Sequence, residues 1–239
     1  MIGCDCKVCN SQNQKDKRLR SSVLIEYNDT TIVIDTGPDF RYQMLRANVR
    51  NLDGVLLTHE HYDHVAGLDD LRAFNRIRKD DVDVYAEKRV LTEVEHNLHY
   101  AFAEDKYPGV PSIRSNVIDE NEAFSIGKLN ITPIRVLHHK LPVLGFRIDE
   151  FAYITDANYI PENSIEKLSG VKVLVINALR IKPHISHFCL SGAIEVIRKI
   201  DPDRGVITHM SHQLGLYMDV INVLPSGVEL GYDQMVVEI

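Results

Sequence analysis

No stretch of 18 consecutive apolar residues occurs in this 239-residue chain, so no membrane-spanning helix and no membrane partner are expected. Met1-Ile2-Gly3-Cys4 and the polar residues that follow lack the basic start and apolar run of a secretory signal. A basic excess is missing as well. Lys plus Arg number 27 against 34 Asp plus Glu, a formal net charge of −7. Proteins that grip long nucleic acid by its phosphates carry the opposite balance. Small anions stay open as substrates, because a bound cation reverses the local field. The most basic stretch, residues 15–20, reads as a solvated loop. Repeats, low-complexity segments and linkers are also absent, and a single domain over residues 1–239 is expected.

Histidine is over-used, at 11 residues, and three of the four cysteines fall within six positions, Cys4, Cys6 and Cys9. Without a secretory signal the compartment is expected to be the reducing cytoplasm, where close cysteines more often bind metal than pair as disulfides. The fourth cysteine, Cys189, opens a helix pattern and reads as core.

Ser22 to Tyr27 and Thr31 to Asp35 are β-rich runs joined by the turn residues Asn28-Asp29-Thr30. Further strands are expected over Gly54 to Thr58, Val82 to Ala86, Leu129 to Leu137, Gly145 to Asp149, Phe151 to Thr155, Val171 to Ile176 and Gly205 to Thr208. Helical spacing predicts helices over Val65 to Arg78, Lys88 to Asn97 and Leu190 to Ile200, and two prolines and a glycine predict a loop over Tyr107 to Asn116. In this pattern Asp35, His59, His138, Asp156 and His209 each stand at or just past a strand end. Strand ends of an α/β protein gather on one sheet edge, where polar residues converge on a site.

The run His59-Glu60-His61-Tyr62-Asp63-His64 places four donors in six residues, between a strand and a helix containing Gly67. His61 and His64 are three apart and His59 and Asp63 four apart, so a tight turn can aim them at two neighbouring ions. Imidazole and carboxylate donors suit zinc, manganese or iron. His138 competes with His139, since neighbours on a strand face opposite ways. His209 competes with His212. Asp156 could also be a helix N-cap.

These residues, with Val33-Ile34-Asp35-Thr36-Gly37, resemble the motifs of the metallo-β-lactamase superfamily. Within it, Ile2-Gly3-Cys4-Asp5-Cys6-Lys7-Val8-Cys9 is similar to the cysteine cluster of PhnP-type cyclic phosphodiesterases. His138-His139-Lys140-Leu141, Thr208 to Gln213, Leu224-Pro225-Ser226-Gly227 and Gly231-Tyr232-Asp233 resemble later stretches of that family. The resemblance implies an α/β fold, the metallo-β-lactamase αββα sandwich. Relatives usually begin with a strand and a small-residue loop ahead of the cysteines, and this chain is expected to lack that strand, leaving its neighbour's edge exposed.

The resemblance also assigns roles. His59, His61 and His138 would hold one catalytic divalent metal, Asp63, His64 and His209 the other, and Asp156 would bridge them. Asp35 would orient the ligand loop by hydrogen bonds. Cys4, Cys6, Cys9 and His212 would close a structural zinc site. Asp63 and His187 are the catalytic candidates, His187 as acid/base at the leaving group with His184 close by in sequence. Arg147 and Arg180 are weaker candidates for holding phosphate and read first as surface charge.

A two-metal pair can activate a shared water near neutral pH and clamp a phosphate oxygen. The PhnP-type resemblance implies that the bond hydrolysed belongs to a small or cyclic phosphodiester, and, since relatives often dimerise, a homodimer is a further expectation. Alternatives are a tRNA 3′-processing-type nuclease, which needs a basic arm absent here, a lactonase or thioesterase of the same fold, and a metal-binding scaffold without catalysis.

Overall fold

The turn at Asn28 forms as the sequence predicts. In a computed structural model that describes residues 1–239, β1 (Val23–Tyr27) pairs antiparallel with β2 (Thr30–Ile34), and Asn28 takes the left-handed backbone the turn needs, φ 53°. The chain divides into two compact units, Arg20–Ile131 and Met1–Leu19 with Thr132–Ile239.

In the Arg20–Ile131 unit, α1 (Phe40–Arg46) leads to β3 (Gly54–Leu56) and the short α2 (Tyr62–Val65). A 3-10 turn at Leu68–Leu71, α3 (Arg72–Arg78), β4 (Val82–Ala86), α4 (Lys88–Asn97), α5 (His99–Phe102) and β5 (Ile113–Val117) follow. The five strands run in the order β1-β2-β3-β4-β5, all parallel from β2 onward. Val33, Val55, Val84, Phe40, Leu71 and Val90 join one apolar core here. α4 forms over the predicted residues because Val90, Leu91 and Val94 share one buried stripe.

Two expectations fail in this unit. The helix predicted over Val65 to Arg78 is broken, since Gly67 turns out of it to donate its N–H to the Thr36 carbonyl at 2.7 Å. A side chain on Gly67 would collide with the Gly37 carbonyl and Phe40. The loop predicted over Tyr107 to Asn116 ends early, because Ile113 enters β5 and buries itself beside β4. The prolines 108 and 111 lie ahead of that strand.

β6 (Phe124–Ile126) pairs antiparallel with the first residues of β7 (Leu129–His138), which carries the chain into the second unit. There β8 (Leu141–Ile148), β9 (Phe151–Ile154), α6 (Glu162–Lys167), β10 (Val173–Asn177), α7 (Leu190–Ile200), β11 (Arg204–Thr208), α8 (Tyr217–Ile221) and β12 (Val228–Leu230) follow. The strand order is β12-β11-β10-β9-β8-β7, parallel from β9 to β12. Ile134, Val143, Ile154, Leu174, Ile197 and Ile207 belong to its separate core. No strand precedes β1, and the residues ahead of it hold only a 3-10 turn at Gln14–Asp16.

Basic residues 15–18 are not a plain solvated loop. Lys15 Nζ stands 4.6 and 4.1 Å over the rings of Tyr217 and Tyr232, and Arg18 is half-buried. Cys189 is not core either. It is half-exposed at the N-cap of α7, with Sγ 3.3 Å from Ser191 Oγ.

Candidate metal centres

Each unit presents its own donors at strand ends. In the Arg20–Ile131 unit, parallel β2 and β3 deliver Asp35 and the run beginning at His59 to one sheet edge. Asp35 is fully buried, with φ 63°. Its Oδ1 accepts the Thr58 N–H at 2.9 Å, and its Oδ2 stands 2.7 Å from His64 Nδ1. That contact puts the proton of His64 on Nδ1 and turns Nε2 toward Asp63, whose Oδ2 is 3.8 Å away. Thr58 Oγ1 also touches His59 Nδ1 at 3.0 Å, which links Asp35 to a second imidazole.

His59 Nε2 and His61 Nδ1 are 3.0 Å apart. Two nitrogens each about 2.0–2.1 Å from one ion stand about 3–3.5 Å apart, so this pair fits a shared cation. Arg20 Nη1 lies 3.7 Å from Asp63 Oδ2. Glu60 points elsewhere and pairs with Arg89. The main chain that carries these groups is locked. Thr36 N–H donates to the His64 carbonyl at 2.7 Å, and a side chain on Gly37 would strike the Asp63 carbonyl.

In the second unit, β7, β9 and β11 place His138, Asp156 and His209 at their ends. β7 runs the same way as β9, because β8 reverses direction between them. Asp156 and His209 both take left-handed φ, 48° and 50°. His209 Nε2 is 2.9 Å from Asp156 Oδ1, and His187 Nε2 is 3.4 Å from Asp156 Oδ2. One donor atom from each of Asp156, His187 and His209 lies within 4.8 Å of the others. His138 Nδ1 donates to the Ser186 carbonyl at 2.8 Å, which makes Nε2 its lone-pair nitrogen. His139 is exposed in the turn after β7, its N–H held by Asn158 Oδ1. His187 is nearly buried, with Nδ1 3.0 Å from Ser186 Oγ and 3.2 Å from His184 Nδ1. Burial and the neighbouring His187 push His184 below the usual imidazole range.

Cys4, Cys6, Cys9 and His212 bring their donor atoms within 4.8 Å of one another, and all three thiols are free. Cys4 Sγ and Cys6 Sγ are 3.3 and 3.4 Å from His212 Nδ1. The Cys9 main-chain N–H and the His212 ring pull the Cys6 thiol down to about 6. Three sulfurs and a nitrogen at these spacings fit tetrahedral zinc, with Zn–S near 2.3 Å. His209 and His212 thus belong to different clusters.

Arg147 and Arg180 spend their guanidiniums on the chain itself. Arg147 donates to the carbonyls of Asp149, Lys167 and Ser169, and Arg180 to those of Lys182 and Pro183. Sequence reasoning missed Thr58, Ser186 and Asn177, which hold His59, His138 and the Ala157 main chain. Asn177 was within reach, as a buried polar residue ending an apolar strand like the predicted donors.

The model of the β-lactamase superfamily domain matches residues 30–210. A Porphyromonas gingivalis protein named octanoyltransferase is 42% identical over 234 residues, 97% of this chain and 47% of that one. A ribonuclease Z of Thermosynechococcus vestitus is 27% identical over 122 residues, 49% of this chain and 29% of its own. The chain thus spans about half or less of the length of these curated relatives. A solved diphosphatase of the PhnP family superposes with TM-score 0.92 and 34% identity, over 98% of this chain and 89% of that one.

Proposed function

Since the chain belongs to the metallo-β-lactamase superfamily and is PhnP-like, we propose that it is a two-metal hydrolase of small or cyclic phosphodiesters. The fold includes hydrolases such as the diphosphatase above, and that relative supports phosphoryl chemistry. The observation that carries the reading is His187. It stands 3.4 Å from Asp156, yet the ligand set implied by the family does not need it.

Neither unit has donors enough for two ions alone. In our proposal the units act as one catalytic domain. His59, His61 and His138 serve one ion, Asp63, His64 and His209 the other, and Asp156 both. When bound, the ions supply Lewis acidity and an activated water. The chain's own groups do the rest. Asp35 and the Ser186 carbonyl fix the tautomers of His64 and His138. Ser186 Oγ and His184 steady His187 from the Nδ1 side, so that its Nε2 carries the proton to the leaving oxygen. Cys4, Cys6, Cys9 and His212 hold a structural zinc that ties the N-terminal segment down. Free thiols in such a cluster suit a reducing, cytoplasmic setting.

The test varies the leaving group. His187→Asn should slow an alkyl phosphodiester about 10²–10³-fold and a p-nitrophenyl diester far less, because p-nitrophenolate leaves without a proton. Equal loss on both substrates removes His187 from the acid role. The name octanoyltransferase belongs to a protein of which this chain spans 47%. Turnover of an octanoyl thioester with no phosphodiester turnover would replace the proposal with the acyl reading.

A further inference from the structure

A recess of about 280 Å³ lies within the Arg20–Ile131 unit, apart from the donor residues. It is lined by Asp69, Arg72, Arg76, Tyr100, Tyr107 and the turn at Gly109. Arg72 and Arg76 stand one turn apart on α3, both exposed. Arg72 is spent on Asp69, at 3.1 Å. Tyr100 OH donates to the same carboxylate at 2.7 Å, and burial together with that bond pushes the phenol up to about 12. Tyr100 is therefore a neutral part of the wall.

Arg76 is different, because it makes no hydrogen bond or ion pair. It reaches Gly109, where a Cβ would stand 3.8 Å from Nη2, and Gly109 takes φ 98°, a conformation that suits glycine. Beside it Tyr107 is 80% exposed and its hydroxyl has no partner. The wall thus offers two cations against one carboxylate in a chain of net charge −7. An unspent guanidinium favours a phosphate, which it can meet with two parallel N–H groups. An exposed phenol ring favours a flat aromatic partner.

We propose that this recess binds a phosphomonoester carrying an aromatic ring, of the size of a nucleoside monophosphate. The phosphate sits on Arg76 and the ring on Tyr107. The volume lies just below the range of ordinary ligand pockets, about 300–1,000 Å³, and suits at most one such unit and not a polymer. This site does not depend on the hydrolase reading.

Calorimetric titration of the full metal-loaded chain with adenosine 5′-monophosphate, ribose 5-phosphate and adenosine tests it. Adenosine 5′-monophosphate should saturate below about 1 mM, with each fragment at least about tenfold weaker. Arg76→Ala and Tyr107→Ala should each weaken binding at least about fivefold, the low end for a lost charge-assisted bond or stacked ring. Both side chains are exposed, and an unchanged melting temperature confirms the fold of each variant. Asp156→Ala, in the other unit, should leave the affinity within about twofold. The proposal falls if nothing saturates, if both cavity variants bind like the parent, or if Asp156→Ala abolishes binding, which would put the nucleotide on the metal donors.

Discussion

The cysteine cluster and the strand-end donors solve different problems. Cys4, Cys6 and Cys9 lie within six residues of one loop, and His212 completes a set of four donors. Around the histidine and aspartate donors the chain invests much more. Asp35 holds His64, Thr58 holds His59, Ser186 holds His138, and Thr155 Oγ1 donates to Asp156 at 2.9 Å. A site that only clips a loop needs donors at the right spacing. A site that works on a substrate needs its donors aimed, and their partners are part of the device.

Three substitutions can break or sharpen that contrast. Asp156→Ala has the largest effect. It should cost at least about 10³-fold in phosphodiester turnover and lower the metal count by about two per chain, read by elemental analysis. Full turnover would end the two-metal reading. Asp35→Asn comes next. It touches no substrate, yet it should weaken the catalytic metals about 10–100-fold in a chelator competition while leaving the thiolate-bound zinc in place. Unchanged affinity would mean that the buried carboxylate is only structural. Cys6→Ser should remove one metal and lower the melting temperature, with turnover of the folded protein changed less than about threefold. A collapse of turnover at constant fold would join the two clusters functionally.

His139→Asn should do least, since asparagine also accepts the left-handed φ of 57° found there. The side chain is exposed, and only its main-chain N–H is held. Metal content and rate should match the parent, and a lost metal would exchange the roles of His138 and His139.

What the sequence reveals depends on how far the deciding contact reaches. α4 and α7 are legible end to end because a single apolar stripe specifies each. The donors are legible because each follows an apolar strand. The break at Gly67 is not, since it depends on the carbonyls of Thr36 and Gly37, some thirty positions earlier. β5 is hidden for a similar reason: its half-polar residues Ile113-Arg114-Ser115-Asn116-Val117 become a strand by pairing with β4. Short α1, α6 and α8 carry too few turns for a periodic signal. His138 and His139 look equivalent until the turn after β7 sends one of them outward.

The left-handed backbone at Asp35, Asp156 and His209 limits what a mutational experiment can mean. Aspartate and histidine tolerate that conformation better than most side chains, whereas alanine resists it by about 1–2 kcal/mol. An alanine at any of the three therefore reports two losses at once, a donor and a comfortable main chain. Asparagine keeps the backbone at ease and removes only the charge or the imidazole. At these three positions a matched asparagine series, set beside the alanines, separates the chemistry of the ligand from the shape of the loop that offers it.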